Sequence, residues 1–374
     1  MRLDPSDARE CASALRSAAE AGRTVRVRGS GTKADLGGAD AGASDSVLRT
    51  RGLHGIIDHV PADLTVTVRA GTRLRDVQAA LAERGQFLPL DPPHDEATIG
   101  GVVAANSNGF GALRYGAVRD LLIGTTTALT NGTLAHAGGR VVKNVAGYDL
   151  NKLLVGSFGT LGVIVEATFR VLPLPVARGA AVSSAPDGVT AFARAAAIVR
   201  TSIRPSALVV DRERGVWRLV VAAAGEQAVV DRTLREADGD HVADPEQVLA
   251  PLRDLPATAA EGALVRATLP LAAQAPFAEG VSSLDGFARL VADAGTGIAR
   301  VHLLGDDATV AASAAAAIAS ARVLGGSARA ERLSPSLRAV LAALRIDPPG
   351  YFLMRRLKDA FDPRGILEPG SGPA

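Results

Sequence analysis

Two glycine-laced runs hold the residues best suited to grip a ligand: Thr98 to Gly116, TIGGVVAANSNGFGALRYG, and Lys143 to Gly162, KNVAGYDLNKLLVGSFGTLG. Gly100, Gly101, Gly109, Gly111 and Gly116 let backbone approach a bulky anion closely and turn through positive φ where other residues cannot. Two such runs around an ordinary strand-and-turn region describe a chain wrapped about an extended ligand. A third stretch, Gly29-Ser30-Gly31-Thr32-Lys33-Ala34, follows a short strand and satisfies the loose dinucleotide pattern G-x-G-x-x-A. That pattern needs a helix whose N-terminus points at the pyrophosphate. Gly37, Gly38 and Gly42 would fall inside that helix, each costing ~1 kcal/mol relative to alanine. A nest of backbone N–H groups in a loop is the better use of these residues.

Other chemistries fail on spacing. No lysine completes a P-loop, and Gly156-Ser157-Phe158-Gly159 lacks the glycine two positions before the serine that a nucleophile elbow requires. His54, His59, His94, His136, His241 and His302 form no paired metal motif, so no metal site is expected. Cys11 is the only cysteine, which excludes an intrachain disulfide, a thiolate zinc site and an iron–sulfur cluster. In an alanine-rich helix it reads as an inert small hydrophobe. Net charge is +2 and aromatics are 3%, without the basic, aromatic-interleaved run of a nucleic-acid binder. MRLDPSDARE has no apolar signal core, and Ala311–Ser320 is too short to span a bilayer. A cytoplasmic location without direct membrane insertion is the expectation.

The elements that must position these residues fall into two textures. Residues 1–175 read as one α+β unit. It has a helix over 4–21, a strand over 24–28, a strand over 64–70 and a helix over 74–84, then strands over 118–129 and 162–172. Beyond Pro175 glycines thin out. Strand 179–183, helix 188–201, a hairpin pairing 207–211 with 216–223, and helix 226–237 are followed by a second cycle. That cycle has strand 264–268, helix 277–294, strand 298–304, helix 308–324 and strand 327–333. Such alternation suggests a ferredoxin-like layer of helices on an antiparallel sheet over 176–334. Residues 335–374 form a helical tail.

RGSGTKADLGG, TVTVRAGT, LPLDPP, TIGGVVAANSNG, RYG and KNVAGYDLNKLLVGSFGTLGVIVEATFRVLP, in this order, resemble the FAD-binding domain of the vanillyl-alcohol oxidase type flavoproteins. FDPRGIL-x-PG resembles the C-terminal signature of that superfamily. Within it, KNVAGYDL-x-K-L and the reduced second domain look most like the FAD-binding subunits of bacterial glycolate oxidases. The resemblance implies an α+β fold: a vanillyl-alcohol oxidase type domain, a smaller ferredoxin-like cap, and a tail returning to the FAD domain. It also assigns roles. Gly29, Ser30, Gly31 and Thr32 would bond the FAD pyrophosphate, with Arg28 or Lys33 supplying charge. Thr98, Gly100, Gly101, Asn106 and Gly109 would pack along the ribityl chain and flavin, and Arg114, Tyr115 and Gly116 would close over it. Gly159, Thr160, Gly162 and Val163 would lie near the adenine half.

Relatives that attach flavin covalently carry a histidine where this chain has Ser30-Gly31-Thr32-Lys33, so FAD is expected to be noncovalent. The tail has Glu368-Pro369-Gly370-Ser371 where relatives have Asn before the Pro-Gly and a basic residue after it. A 2-hydroxy acid oxidase also needs a cation for the carboxylate and a base for the hydroxyl proton. Arg114, Arg355 or Arg356 are the candidate anchors and His302 the candidate base, each with an ordinary structural reading beside it. The resemblance therefore implies oxidation of glycolate to glyoxylate together with a larger flavin subunit and an iron–sulfur subunit, with any membrane association through those partners. A self-sufficient FAD oxidoreductase of another hydroxy acid, sugar or alcohol stands as the alternative, as does a non-catalytic flavin-fold scaffold.

Overall fold

A computed structural model describes residues 1–34, 44–139, 149–201, 204–338 and 350–369. Lys143 to Tyr148 of the KNVAGYDL motif, Gly37, Gly38, Gly42, Gly370 and Ser371 lie outside the described residues.

The first half holds two larger sheets and one two-stranded pair. β1 (Arg2–Leu3), β2 (Val25–Arg28) and β3 (Ser46–Arg49) form a parallel trio with β3 central. β4 (Ile56–Val60) and β5 (Thr65–Arg69) join three later strands, and β6 (Gln86–Phe87) stands apart. The later strands are β7 (Leu122–Ala128), β8 (Leu134–Gly138) and β9 (Val163–Arg170), giving an antiparallel order β4-β5-β9-β7-β8. Alternating residues of this sheet feed two cores. Val66, Val68, Ala167 and Phe169 pack with the helices Leu74–Ala82 and Ile99–Ala104, and Ala128, Val163 and Val165 pack toward Leu15 of the helix Ala8–Glu20. The stretch read as strand from 118 opens instead with a helical turn, Val118–Leu121, because Asp120 accepts the Ala117 N–H and closes the turn.

Past β10 (Leu172–Pro173), which pairs with β6, the chain builds one eight-stranded antiparallel sheet. Its strands are β11 (Ala177–Ala185), β12 (Ala207–Glu213), β13 (Val216–Gly225), β14 (Asp240–Val242), β15 (Ala263–Thr268), β16 (Phe287–Asp293), β17 (Ile298–Leu303) and β18 (Ser327–Leu333). The order is β14-β11-β13-β12-β16-β17-β15-β18. Each half has the 4-1-3-2 order of a ferredoxin-like unit, and the halves join through β12 and β16. The sheet therefore reads as a palindrome about that seam. Its first face carries the large core of Leu208, Val210, Leu290 and Val301 under Phe192, Phe277 and Ala314 of the helices Gly188–Arg200, Gln274–Val281 and Asp307–Val323.

One element departs from the periodicity: 277–294 is not a single helix. The helix ends at Val281, Gly286 turns through φ +74 with the Leu304 carbonyl where a Cβ would sit, and β16 begins at Phe287. The alternating reading fails here because Leu290, Val291 and Ala292 are buried on both faces of the sheet.

The tail returns to the first half. After the helix Tyr351–Phe361, Leu367 bridges Val25 in parallel, with Val25 N–H donating to Ile366 O (2.7 Å) and Glu368 N–H to Val25 O (2.9 Å). Lys358 Nζ donates to the carbonyls of Thr160 (3.0 Å) and Leu367 (2.9 Å) and pairs with Asp362, whose carboxylate accepts the Ile366 and Leu367 N–H groups.

Candidate functional site

The second face of the large sheet looks across a cavity of about 410 Å³ at the glycine-rich segments of the first half. The first wall is built by the chain after Thr98. The helix Ile99–Ala104 contains Gly100 and Gly101, where the sequence suggested a loop. Gly100 is required by packing: a Cβ would stand 2.9 Å from Ala70 Cβ, on the strand-end carbonyl its own N–H bonds at 2.8 Å. The helix C-terminus anchors the second run, because Gly156 N–H donates to Val103 O and Phe158 N–H to Ala104 O (2.8 Å). This brings Asn106 and Gly109 of one run beside Gly156 and Phe158 of the other, all lining the cavity. His94, Asn106 and Phe158, also lining it, hold left-handed backbone at φ 75, 46 and 51. Strained non-glycine residues gathered at one cavity are characteristic of ligand sites.

Among the buried polar atoms of the first half that lack partners are Lys33 Nζ in the cavity lining and Thr98 Oγ1 outside it. Lys33 Nζ is buried without a hydrogen bond, and burial pushes its pKa down to about 8. Thr98 Oγ1 is likewise buried and unbonded, in the angle between Gly29 and Gly101; a Cβ on Gly29 would meet it at 2.2 Å. Leaving such groups unpaired costs about 1–3 kcal/mol each. An oxygen-rich ligand such as FAD, with anionic phosphates for Lys33 and polyhydroxyl chain for Thr98, satisfies both. The residues present fit the cofactor.

Other predicted contacts fall elsewhere. Arg28 is committed: its guanidinium bonds Glu368 (3.1 Å) and the Val27 carbonyl. Glu368, at φ 47, also accepts the Val27 N–H at 2.6 Å and lies 3.9 Å from Arg26. The tail residue that departs from the relatives' pattern thus neutralises the strand leading into the Gly29–Lys33 loop. Gly159 packs against Glu368 and Val27, Thr160 gives its carbonyl to Lys358, and Gly162 abuts Thr127. Val163 is buried in register with Ala128. Gly109 wraps the Asp91 carboxylate, where a Cβ would stand 2.0 Å from Asp91 O. Burial pushes Asp91 up to about 7, opposed by the Gly111 N–H. Gly116 lines the cavity and Tyr115 stacks edge-on against Phe87 at 5.5 Å.

The candidate anchors and base do not reach the cavity. Arg114 donates to the Arg204 carbonyl at 2.6 Å and lines a separate hollow with Pro205. Arg355 and Arg356 are exposed on the helix Tyr351–Phe361. His302 shares the sheet face of Arg300 but lies beyond the cavity's edge, its Nε2 3.0 Å from the Glu261 carbonyl. Each is held by a neighbouring carbonyl or by solvent, which sequence distance does not disclose.

Besides Lys33 and Asp120 of the first wall, the charges at the cavity are Arg266, Arg300, Arg329, Asp293 and Glu331, on four strands of the large sheet, with Arg253 from the helix Glu246–Arg253. Sequence reasoning missed them all. The available signal was arginine at alternate positions of LVRAT, IARVH and SARAERL, an inappropriate residue for the buried face of a strand unless that face meets a polar space. Glu331 accepts Arg300 Nε at 2.7 Å and lies 3.9 Å from Arg266. Burial raises its pKa, but Arg300, Arg266 and Arg329 outweigh that and hold it below the usual carboxylate value. Asp293, capped by the Gly295 and Thr296 N–H groups at 3.2 Å, is pushed up to about 6 by burial.

Residues 2–138 match the family described as FAD binding domain, and residues 306–371 match FAD linked oxidases, C-terminal domain. The chain thus carries both domains, with FAD as the cofactor. Among curated proteins it is 44% identical over 151 residues to glycolate oxidase subunit GlcE of Escherichia coli (strain K12), covering 40% of this chain and 42% of that protein. It is 40% identical over 149 residues to glycolate oxidase subunit GlcD of Bacillus subtilis (strain 168), covering 40% and 32%. To D-lactate dehydrogenase of Archaeoglobus fulgidus it is 37% identical over 172 residues, covering 46% and 38%. These matches span less than half the length of the curated relatives. A solved structure of alkyldihydroxyacetonephosphate synthase superposes with a TM-score of 0.76 at 17% identity, covering 98% of this chain and 76% of that one, and shares the fold.

Proposed function

We propose that this chain is the FAD-binding subunit of a glycolate oxidase-like complex that oxidises glycolate, a 2-hydroxy acid, to glyoxylate. In this reading 1–175 is the FAD-binding domain, 176–334 the ferredoxin-like cap and 335–374 the tail that packs on the FAD domain. The observation that carries it is the cavity itself, with unpartnered Lys33 Nζ on the FAD-domain wall and a charged sheet opposite. Relatives named as glycolate oxidase subunits support the substrate class and a multi-subunit assembly.

FAD, when bound, supplies a two-electron acceptor for the hydride that leaves the hydroxyl-bearing carbon. Lys33 would hold the pyrophosphate charge in place of Arg28, which is already engaged by Glu368. Thr98 Oγ1 would be free to bond the ribityl chain, and Gly29 and Gly101 leave the room its hydroxyl needs. Asp293, ionised at neutral pH with a pKa near 6, takes the hydroxyl proton at its carboxylate. The bound cofactor would need an outside acceptor for its electrons, because a single cysteine, Cys11, cannot build an iron–sulfur relay in this chain. A larger flavin subunit and an iron–sulfur subunit fill that role. The location is cytoplasmic; among the described residues no helix is long and apolar enough to cross a membrane.

The purified chain should be yellow and should release its FAD on acid denaturation, since no histidine stands in the Ser30–Lys33 loop. Flavin that stays on the denatured polypeptide would overturn noncovalent binding. A chain that never takes up FAD would overturn the cofactor assignment. Glycolate should bleach the flavin slowly in the isolated chain and rapidly once the larger subunit is added. Equal rates in both would favour a self-sufficient enzyme.

A further inference from the structure

Strand register places three guanidinium groups abreast. Arg266 on β15 stands directly opposite Arg300 on β17 and, on its other side, directly opposite Arg329 on β18. Like charges facing each other across strands are destabilising. The single acid set among them, Glu331, is spent mainly on Arg300, which it grips through Nε (2.7 Å) and Nη2 (3.3 Å). Arg266 reaches it only at 3.9 Å, and among the described residues Arg329 makes no hydrogen bond or salt bridge. Both line the cavity.

We infer that Arg266 and Arg329 form the anchor for the carboxylate of a small organic acid, with Arg300 and Glu331 as the fixed pair behind them. This deepens the reading of the cavity as the hydroxy-acid site and rests on it. Two planar guanidinium groups side by side match the two oxygens of one carboxylate in a way that a lysine could not. Shape selects the carboxylate over a phosphate, because a carboxylate is planar like the guanidinium groups and a phosphate is tetrahedral. Lys33, Arg253, Arg266, Arg300 and Arg329 line the cavity against Asp120, Asp293 and Glu331, so the lining favours an anion. The Val291 and Ile298 side of the cavity is apolar and suits a short aliphatic remainder. The two arginines are therefore specificity-determining rather than structural. Burial, then Arg300 and Arg329, lower the Arg266 pKa to about 10, and Glu331 at 3.9 Å offsets them only in part.

The test is calorimetric titration of the purified full chain with glycolate, phosphate and neutral ethylene glycol, with FAD content and Tm read on each variant. Wild type should bind glycolate and not ethylene glycol, and phosphate more weakly than glycolate. Arg329→Gln and Arg266→Gln should each weaken glycolate at least tenfold. Arg329→Gln, at an exposed position, should keep the Tm and the FAD content of wild type. Unchanged glycolate affinity in both variants overturns the anchor, as does tighter binding of phosphate or no binding of glycolate by wild type. The two readings separate. FAD bound with glycolate indifferent to the arginines defeats the anchor alone, whereas arginine-dependent glycolate binding without FAD defeats the cofactor reading alone.

Discussion

One row of side chains crosses six strands of the large sheet: Arg218, Asp211, Val291, Arg300, Arg266 and Arg329 stand opposite one another from β13 to β18. At the β13 end Asp211 is fully buried between Arg218 Nε (2.9 Å) and Arg289 Nε (3.0 Å), and Glu213 stands 3.8 and 3.7 Å from the same two arginines. Two acids meet two bases there, and the charges balance. At the β18 end three arginines share Glu331 and open onto the cavity. Both clusters stand on one sheet of repeated topology, and they differ in charge balance. A closed ion network holds the sheet together, whereas an incomplete one holds a place for something else.

The largest effect should come from breaking the closed end. Asp211→Asn leaves Arg218 and Arg289 without their buried counter-ion and should cost about 3–5 kcal/mol in denaturant unfolding. A loss below about 1 kcal/mol would show that this end, too, is not structural. Glu331→Gln sharpens the contrast from the other side. Water in the cavity reaches the freed arginines, so the loss should be about 1–3 kcal/mol, while glycolate should bind more tightly because Arg300 is released. Weaker glycolate binding would mean that Glu331 orients the anchor instead of competing for it.

Acids without a guanidinium contact differ from both ends. Asp91 and Asp293 are pushed up by burial to about 7 and about 6, against about 3.9 in an unfolded chain. The fold therefore favours their protonated forms. Their contribution to stability is complete below about pH 4 and is lost as pH rises through 6 and 7. The Tm should be higher at pH 5 than at pH 8, and Asp91→Asn should flatten that slope. A Tm that climbs between these pH values would contradict the burial of both groups. The smallest effects belong to the arginine and histidine outside the cavity. Arg355→Ala and His302→Ala should change turnover in the assembled complex less than tenfold, and loss of activity in either would relocate the site.

Much of the first half was legible because glycines mark close approaches that few side chains permit. Gly29 and Gly101 do crowd the unbonded Thr98 hydroxyl. Other glycines were legible as constraints but not as contacts. Gly109 exists for Asp91 and Gly100 for Ala70, and nothing local says which neighbour will fill the gap. The second half was legible as alternating strands and helices, and the repeated cycle emerged as two units of one sheet. Its chemistry was not. Arg266, Arg300 and Arg329 are more than thirty or close to thirty residues apart in the chain, and only register sets them abreast. The same blindness hid the partner of Arg28, since Glu368 lies 340 residues away.

That last separation bears on synthesis. The strand entering the Gly29–Lys33 loop is completed by Ile366, Leu367 and Glu368, so the ribosome must release some 340 further residues before the loop gains its support. At roughly 5–20 residues per second this takes about 20–70 s. Through that interval Arg26 and Arg28 sit on a nascent strand without their acid. Cofactor loading should accordingly be a late event, following translation of the tail. Nascent chains arrested at residue 360 should be poor at retaining FAD, and chains arrested with residue 369 clear of the exit tunnel should retain it.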